Sequence, residues 1–223
     1  MTGPATRFKL MDRFLHVFGT EKIAYLTADR EFKGAAWLGY LSEKGIPFCI
    51  RIPNNTKVSN KYKNRKLSVC RIFSLRVGES MTLSTAREVW GVTVFLSCIR
   101  SPKERVIMVT SSRLTDASEV YAKRWAIETL FGCLKTRGFD LESTHVRADD
   151  RLQKLFFLLT LTMCWCFKIG LWRNEQKPIS IKKHGKKSVS IFRYGLDYLQ
   201  TILVNIRSKQ ESFVYALRFL SCT

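Results

Sequence analysis

The sequence predicts a mixed α/β fold that carries a β-rich insertion and ends in helices. Three observations predict it. The first fifty residues alternate helical and strand patterns, which is how α/β domains are built. Residues 57 to 110 then change to short runs rich in β-branched residues, punctuated by Gly78 and Gly91. From Asp116 onward the periodicity is helical almost to the end.

Taken in order, Arg7 to Phe18 spaces Leu10, Phe14, Val17 and Phe18 at helical intervals, and Gly19 is the stop. Ile23 to Thr27 is a short apolar strand that runs into Ala28 and Asp29. Ala35 to Leu41 is a second helix, ending near Gly45. Phe48 to Ile52 is a second strand, closed by Pro53-Asn54-Asn55. Within the insertion, the runs 67–73, 80–83 and 92–99 read as strands, and Arg105 to Thr110 can return the chain to the first sheet. A long helix should follow from an Asp116 cap, with Glu119 as the reciprocal partner, to about Lys135 or Thr136 before Gly138. Two more helices are expected over 147–172 and 189–207. A basic linker, Lys182 to Ser188, lies between them.

Composition bounds the function. The chain has 223 residues and a formal charge of +20, from 38 Lys plus Arg against 18 Asp plus Glu. Such an imbalance is self-repulsive unless a polyanion is the working partner. Nucleic acid is the first candidate, and an acidic membrane surface the second. Seven cysteines without a CxxC pair, and three histidines, argue against a zinc site and for reduced thiols. Met1-Thr-Gly-Pro opens no signal peptide. The uncharged run Leu155 to Phe167 falls short of the ~20 residues a bilayer needs, so it is expected as a buried helix. Trp125 and Trp165 are expected as packing residues.

The helix after Asp116 carries the chemistry. At about 100° per residue, Tyr121, Arg124, Glu128 and Lys135 fall on one stripe. It borders an apolar arc of Val120, Ile127, Leu130, Phe131 and Leu134. The plain reading is a solvated face with i,i+4 pairs. The functional reading needs a second carboxylate, and Asp29 stands just past a strand end, where α/β sheets place ligands. By itself Asp29 is equally a turn or cap residue.

Tyr121-x-x-Arg124-x-x-x-Glu128 followed by Lys135 fits the Y-(2)-R-(3)-E-(6)-K signature, and the chain thereby resembles the insertion-sequence-4 family of DDE transposases. Thr27-Ala-Asp29-Arg-Glu-Phe is similar to the family's second-aspartate motif, and Ser190 to Leu199 to a segment near its C-terminus. The resemblance implies a ribonuclease H-like (retroviral integrase-like) core with its sheet and second-aspartate strand in 1–52. It implies a β-rich insertion in 53–104, the strand and glutamate helix in 105–145, and a helical region in 146–223. It implies transposition by phosphodiester cleavage and strand transfer, with two Mg²⁺ (or Mn²⁺) ions held by carboxylates. Asp29 and Glu128 would be catalytic metal ligands, and Tyr121, Arg124 and Lys135 would contact DNA phosphates.

The partners so implied are double-stranded DNA, as transposon ends and target, and a second copy of the chain in the DNA complex. The location implied is the cytoplasm, on the nucleoid, with no membrane. The family also needs an earlier aspartate on the first strand. Asp12 is the only acidic residue before Glu21, and it sits in a helical pattern. The core is therefore expected to be incomplete at its N-terminus, catalytically impaired and poorly soluble through exposed strand edges. The non-enzymatic alternative is a basic DNA-binding fragment that modulates an intact transposase. A membrane-surface protein is the third class.

Overall fold

The computed structural model describes residues 4–60, 63–135, 138–146, 148–183 and 185–221. The chain divides into two units, 1–126 and 127–223. Cys222 and His184 lie outside the described residues.

The first unit opens with α1 (Pro4–Phe18), β1 (Leu26–Ala28), α2 (Ala35–Glu43) and β2 (Phe48–Ile52). Gly19 closes α1 at a φ of 75°, a left-handed conformation glycine adopts without steric cost. The face of α1 that packs is Phe8, Met11 and Leu15. The spaced residues Leu10, Phe14, Val17 and Phe18 are exposed instead. Periodicity finds an apolar stripe but does not say which of two apolar stripes meets the sheet. Asp12 Oδ1 accepts a 2.6 Å hydrogen bond from the Tyr40 hydroxyl. Asp12 thus tethers α1 to α2, and it is on a helix rather than a strand end.

The insertion contributes β3 (Lys57–Asn60), β4 (Lys63–Ser68), β5 (Ser80–Thr82), β6 (Arg87–Val89) and β7 (Val92–Arg100). The run 67–73 is not a strand beyond Ser68, because a 3₁₀ turn over Val69–Arg71 buries Val69. Trp90 and Gly91 form the two-residue turn between β6 and β7, both at positive φ, as such hairpins require. β8 (Arg105–Thr110) then returns to the first sheet, between β2 and β7, antiparallel to both. The result is one eight-stranded sheet in the order β1-β2-β8-β7-β6-β3-β4, with β5 beside the second half of β7. β1 is parallel to β2 and ends the sheet.

The alternation of β2, β7 and β8 sorts two layers. Phe48, Ile50, Ile52, Val94, Leu96, Ile107 and Val109 join Leu38 and Leu41 of α2 in the larger core. Each such fully buried side chain contributes about 1.5–3 kcal/mol. The other face presents Cys49, Met108 and Ile99 to α3 (Ala117–Ala122), which packs through Ala117, Val120 and Tyr121.

The second unit contains most of α4 (Trp125–Lys135), then α5 (Asp149–Gln176), α6 (Ile191–Val204) and α7 (Gln210–Leu217). The long helix expected from Asp116 is thus two. Through residues 121–126 the bonds tighten to i,i+3, from Arg124 N to Tyr121 O and from Ala126 N to Lys123 O, both 3.0 Å. The break falls where burial changes partner. α3 is buried by the sheet, whereas Cys133 belongs to the second core. Asp116 occupies the cap position of α3, but its side chain makes no capping bond.

α5 is not the buried helix expected. Its helical span is 28 residues, and among the described residues it is the one helix long and apolar enough to cross a membrane. Phe156, Phe157, Leu158, Leu161 and Leu171 are exposed, and only Cys166, Ile169 and Gly170 are buried. The helix expected over 147–172 is present and continues four residues further, to Gln176. Its packing is with α6, where Gly170 lies against the Ile191 carbonyl and Gly195 against that of Cys166. Trp165 is a packing residue as expected, donating to the Ala216 carbonyl at 2.7 Å. In the basic linker, Ile181 and Lys187 form an isolated antiparallel bridge and Gly185 has a φ of 79°.

The six described cysteines are free thiols. Cys49, Cys98, Cys133 and Cys166 are buried, and Cys164 is exposed. Among the described thiols of the native chain, a thiol-specific reagent is expected to label Cys164 first and the four buried ones only on denaturation. Mass spectrometry of a timed labelling series checks this, and early modification of Cys49 would contradict the packing of α3.

Candidate nucleic-acid and catalytic site

Asp29 follows the last residue of β1. Its backbone carbonyl accepts from Phe32 N at 2.9 Å, and its Oδ1 accepts from Arg30 N at 2.7 Å. The aspartate therefore shapes the turn and still leaves carboxylate acceptor capacity, half-buried beside the sheet. Ala28 pairs with Ile50, so Asp29 continues the register onto Arg51.

Arg51 is the residue that sequence reasoning missed. Its side chain is on the face covered by α3 and pairs with Glu104. Burial works against the Arg51 charge, but the hydrogen bond and charge of Glu104, with Tyr121 and Asp29 beyond, outweigh it and raise its pKa. The available signal was a single arginine in the apolar strand Phe-Cys-Ile-Arg-Ile, at an alternate position to the core-facing Ile50 and Ile52.

Tyr121 reaches the same place from α3. Its hydroxyl is buried without a hydrogen-bond partner among the described residues. Burial first, then the Asp29 charge, raises its pKa, while Arg124 and Arg51 pull the other way. The Arg124 guanidinium lies 5.6 Å from the Tyr121 ring and 5.6 Å from that of Trp125. It is near enough to the Tyr121 hydroxyl to lower its pKa without a well-directed bond to it. Trp125 is exposed, and so is not the packing residue expected. An orphaned buried hydroxyl flanked by two guanidiniums and one carboxylate is costly unless a ligand completes it. Its chemistry suits a phosphate oxygen, which accepts from both donor types.

The signature residues are carried by α3, by the turn after it and by α4, and not by one continuous helix. Asp29, Tyr121 and Arg124 come together in the first unit. Glu128, in the first turn of α4, and Lys135, at its last residue, belong to the second. Both are exposed, as are Ile127 and Phe131 of the expected apolar arc, while Leu134 is buried. The single long helix expected over these residues is interrupted at 123–124.

Carboxylate oxygen is the donor that Mg²⁺ takes. Among the described residues, however, no group of three or more His, Cys, Asp and Glu could hold a metal ion. The donors fit in kind but not in number, and no metal-dependent step is derived from them.

Cys49 anchors α3 beneath this site, its thiol 3.6 Å from the Ala117 carbonyl. Burial, with a contribution from Asp116, pushes the thiol up from 9.0 to about 12. The folded chain then holds a proton that the unfolded chain releases above pH 9. Its contribution is complete below pH 9 and is lost as pH rises toward 12. Melting temperatures at pH 7 and pH 10 are expected to fall further apart for the native chain than for Cys49→Ala. Equal differences would contradict this.

Residues 4–166, well over half of the chain, match the family described as Transposase DDE domain. No curated protein matches the chain.

Proposed function

The chain belongs to the transposase DDE domain family, and from that premise we propose that it acts at the ends of a bacterial insertion sequence of the insertion-sequence-4 type. The transposase function and the divalent metal are the family's. The finer assignment rests on the spacing of Tyr121, Arg124, Glu128 and Lys135. The single observation that carries the DNA reading is the orphaned Tyr121 hydroxyl set among Asp29, Arg51 and Arg124. These groups would hold a phosphodiester by its oxygens beside a carboxylate. Asp29 and Glu128 would supply two of the carboxylates that hold the family's divalent metal. Lys135 would add a phosphate contact from α4.

Asp12 is committed to Tyr40, and no third carboxylate completes a cluster among the described residues. This favours a catalytically incomplete core, hence a DNA-binding chain that modulates an intact transposase by occupying its ends. A homodimer on paired ends and a nucleoid location in the cytoplasm belong to the same reading.

The test is incubation with supercoiled plasmid and with end-containing duplex, with Mg²⁺ or Mn²⁺. Salt-sensitive binding without nicking is the expected result. Nicking that disappears in both Asp29→Ala and Glu128→Ala would instead establish a complete enzyme. Absence of DNA binding at low salt would remove the nucleic-acid reading altogether.

A further inference from the structure

The covered face of the sheet carries a second polar feature, at the other end of α3. A cavity of about 220 Å³ opens there, lined by Ser80, Thr82, Ser97, Arg113, Thr115 and Ser118 together with the apolar floor of Met108 and Ile99. No carboxylate lines it. Thr82 and Ser97 join their hydroxyls at 2.9 Å across the strands. Among the described residues Arg113 makes no ion pair, and the hydroxyls of Ser80, Thr115 and Ser118 bond no other group. One arginine and five hydroxyl residues line this polar cavity, and no carboxylate is among its lining residues. Its complement is a tetrahedral oxyanion.

The register locates this cavity relative to Asp29. Arg51 pairs with Met108, Met108 with Ser97, and Ser97 with Thr82. Asp29 continues the row at the β1 end. One cross-strand row therefore runs Asp29, Arg51, Met108, Ser97, Thr82, all on the face that α3 covers. With strands about 4.8 Å apart, Ser97 is about 14 Å and Thr82 about 19 Å from Asp29 along the row. A nucleic-acid strand rises about 3.4 Å per nucleotide, so that span is roughly four to six nucleotides.

We propose that this cavity binds one backbone phosphate of the DNA strand whose reacting phosphate lies at Asp29, roughly four to six nucleotides away. The inference rests on the DNA reading above and adds a site that the signature residues do not include. DNA is the source of the phosphate because a strand anchored at Asp29 is long enough to reach the cavity by passing along the outer side of α3. Two anchors at the two ends of α3 would fix the direction in which the strand passes the helix.

The test uses the full chain and an end-containing duplex, with affinity followed by fluorescence anisotropy over a KCl series. Arg113→Glu is compared with Arg13→Glu, an equal charge reversal on the exposed face of α1. Arg113→Glu is expected to weaken binding at least ~tenfold more than Arg13→Glu and to reduce the salt slope by about one further phosphate. Thr115→Val combined with Ser118→Ala, which changes no charge, is expected to weaken binding roughly threefold to tenfold.

A second measurement replaces single phosphates of the duplex by neutral methylphosphonate. One position, roughly four to six nucleotides from the reacting phosphate, should cost the native chain affinity and leave Arg113→Glu unaffected. Equal losses in the two charge reversals, or no such position, would overturn the proposal while native binding upholds the DNA reading. Protection of the cavity by inorganic phosphate with unchanged DNA affinity would overturn it likewise. Failure of the native chain to bind DNA at low salt would remove the reading and the proposal together.

Discussion

Gly195→Ala is expected to lower the melting temperature of the second unit by roughly 10–20 °C, the effect of about 2–3 kcal/mol in a unit of this size. The direction opposes the ordinary rule. Alanine in place of an interior helical glycine stabilises by about 1 kcal/mol, because it removes backbone freedom from the unfolded chain. At Gly195 an added Cβ would meet the Cys166 carbonyl of α5, and Gly170 N is 2.8 Å away. Both are helix backbone, which cannot rotate aside as a side chain can. The α5–α6 pair would have to move apart, opening the core of Cys166, Ile169, Phe192 and Leu199. Gly170→Ala meets the Ile191 carbonyl in the same crossing and should act alike.

Gly39→Ala in α2 is the control. Nothing lies within 4 Å of an added Cβ there, so it should raise stability by up to about 1 kcal/mol. Calorimetry of the three variants decides the matter. A rise in melting temperature for Gly195→Ala would mean that the two helices are not in backbone contact.

The second large effect is in DNA affinity. With a formal charge of +20, affinity for duplex DNA is expected to fall about a thousandfold between 50 and 200 mM salt, as for six or more phosphate contacts. Arg124→Ala should remove about one contact from the slope and cost roughly tenfold. Tyr121→Phe should cost less, because it removes only the orphaned hydroxyl and keeps the ring beneath Arg124. Anisotropy at four salt concentrations measures all three. Affinity that does not change with salt would mean that the charge surplus has no phosphate partner.

Much of the site was visible in the residues. Asp29 was placed correctly past a strand end because a short apolar run and the turn that follows are both local signals. The same holds for β2, found with its boundaries from Phe48 to Ile52. Glu128 was placed on a helix, and it is on one. What failed was any inference that carried geometry through a break. The stripe from Tyr121 to Lys135 assumed one continuous helix, and i,i+3 bonds at Arg124 and Ala126 interrupt that helix. The burial of α5 also failed, because an apolar run states what is hydrophobic and not how much neighbouring surface exists to cover it.

The sequence by itself determined the α/β alternation, the β-rich insertion, the basic charge and the residues of the signature. Each is encoded within a few residues by period, turn chemistry or charge. Only the tertiary structure decided that β8 inserts between β2 and β7, and that Arg51, Ser97 and Thr82 share a row with Asp29. Register joins residues separated by dozens of positions, and a slip of one would turn every side chain to the opposite face. The same reason governs α1, where two apolar stripes competed and contact with Trp37 and Tyr40 selected Phe8 over Phe14.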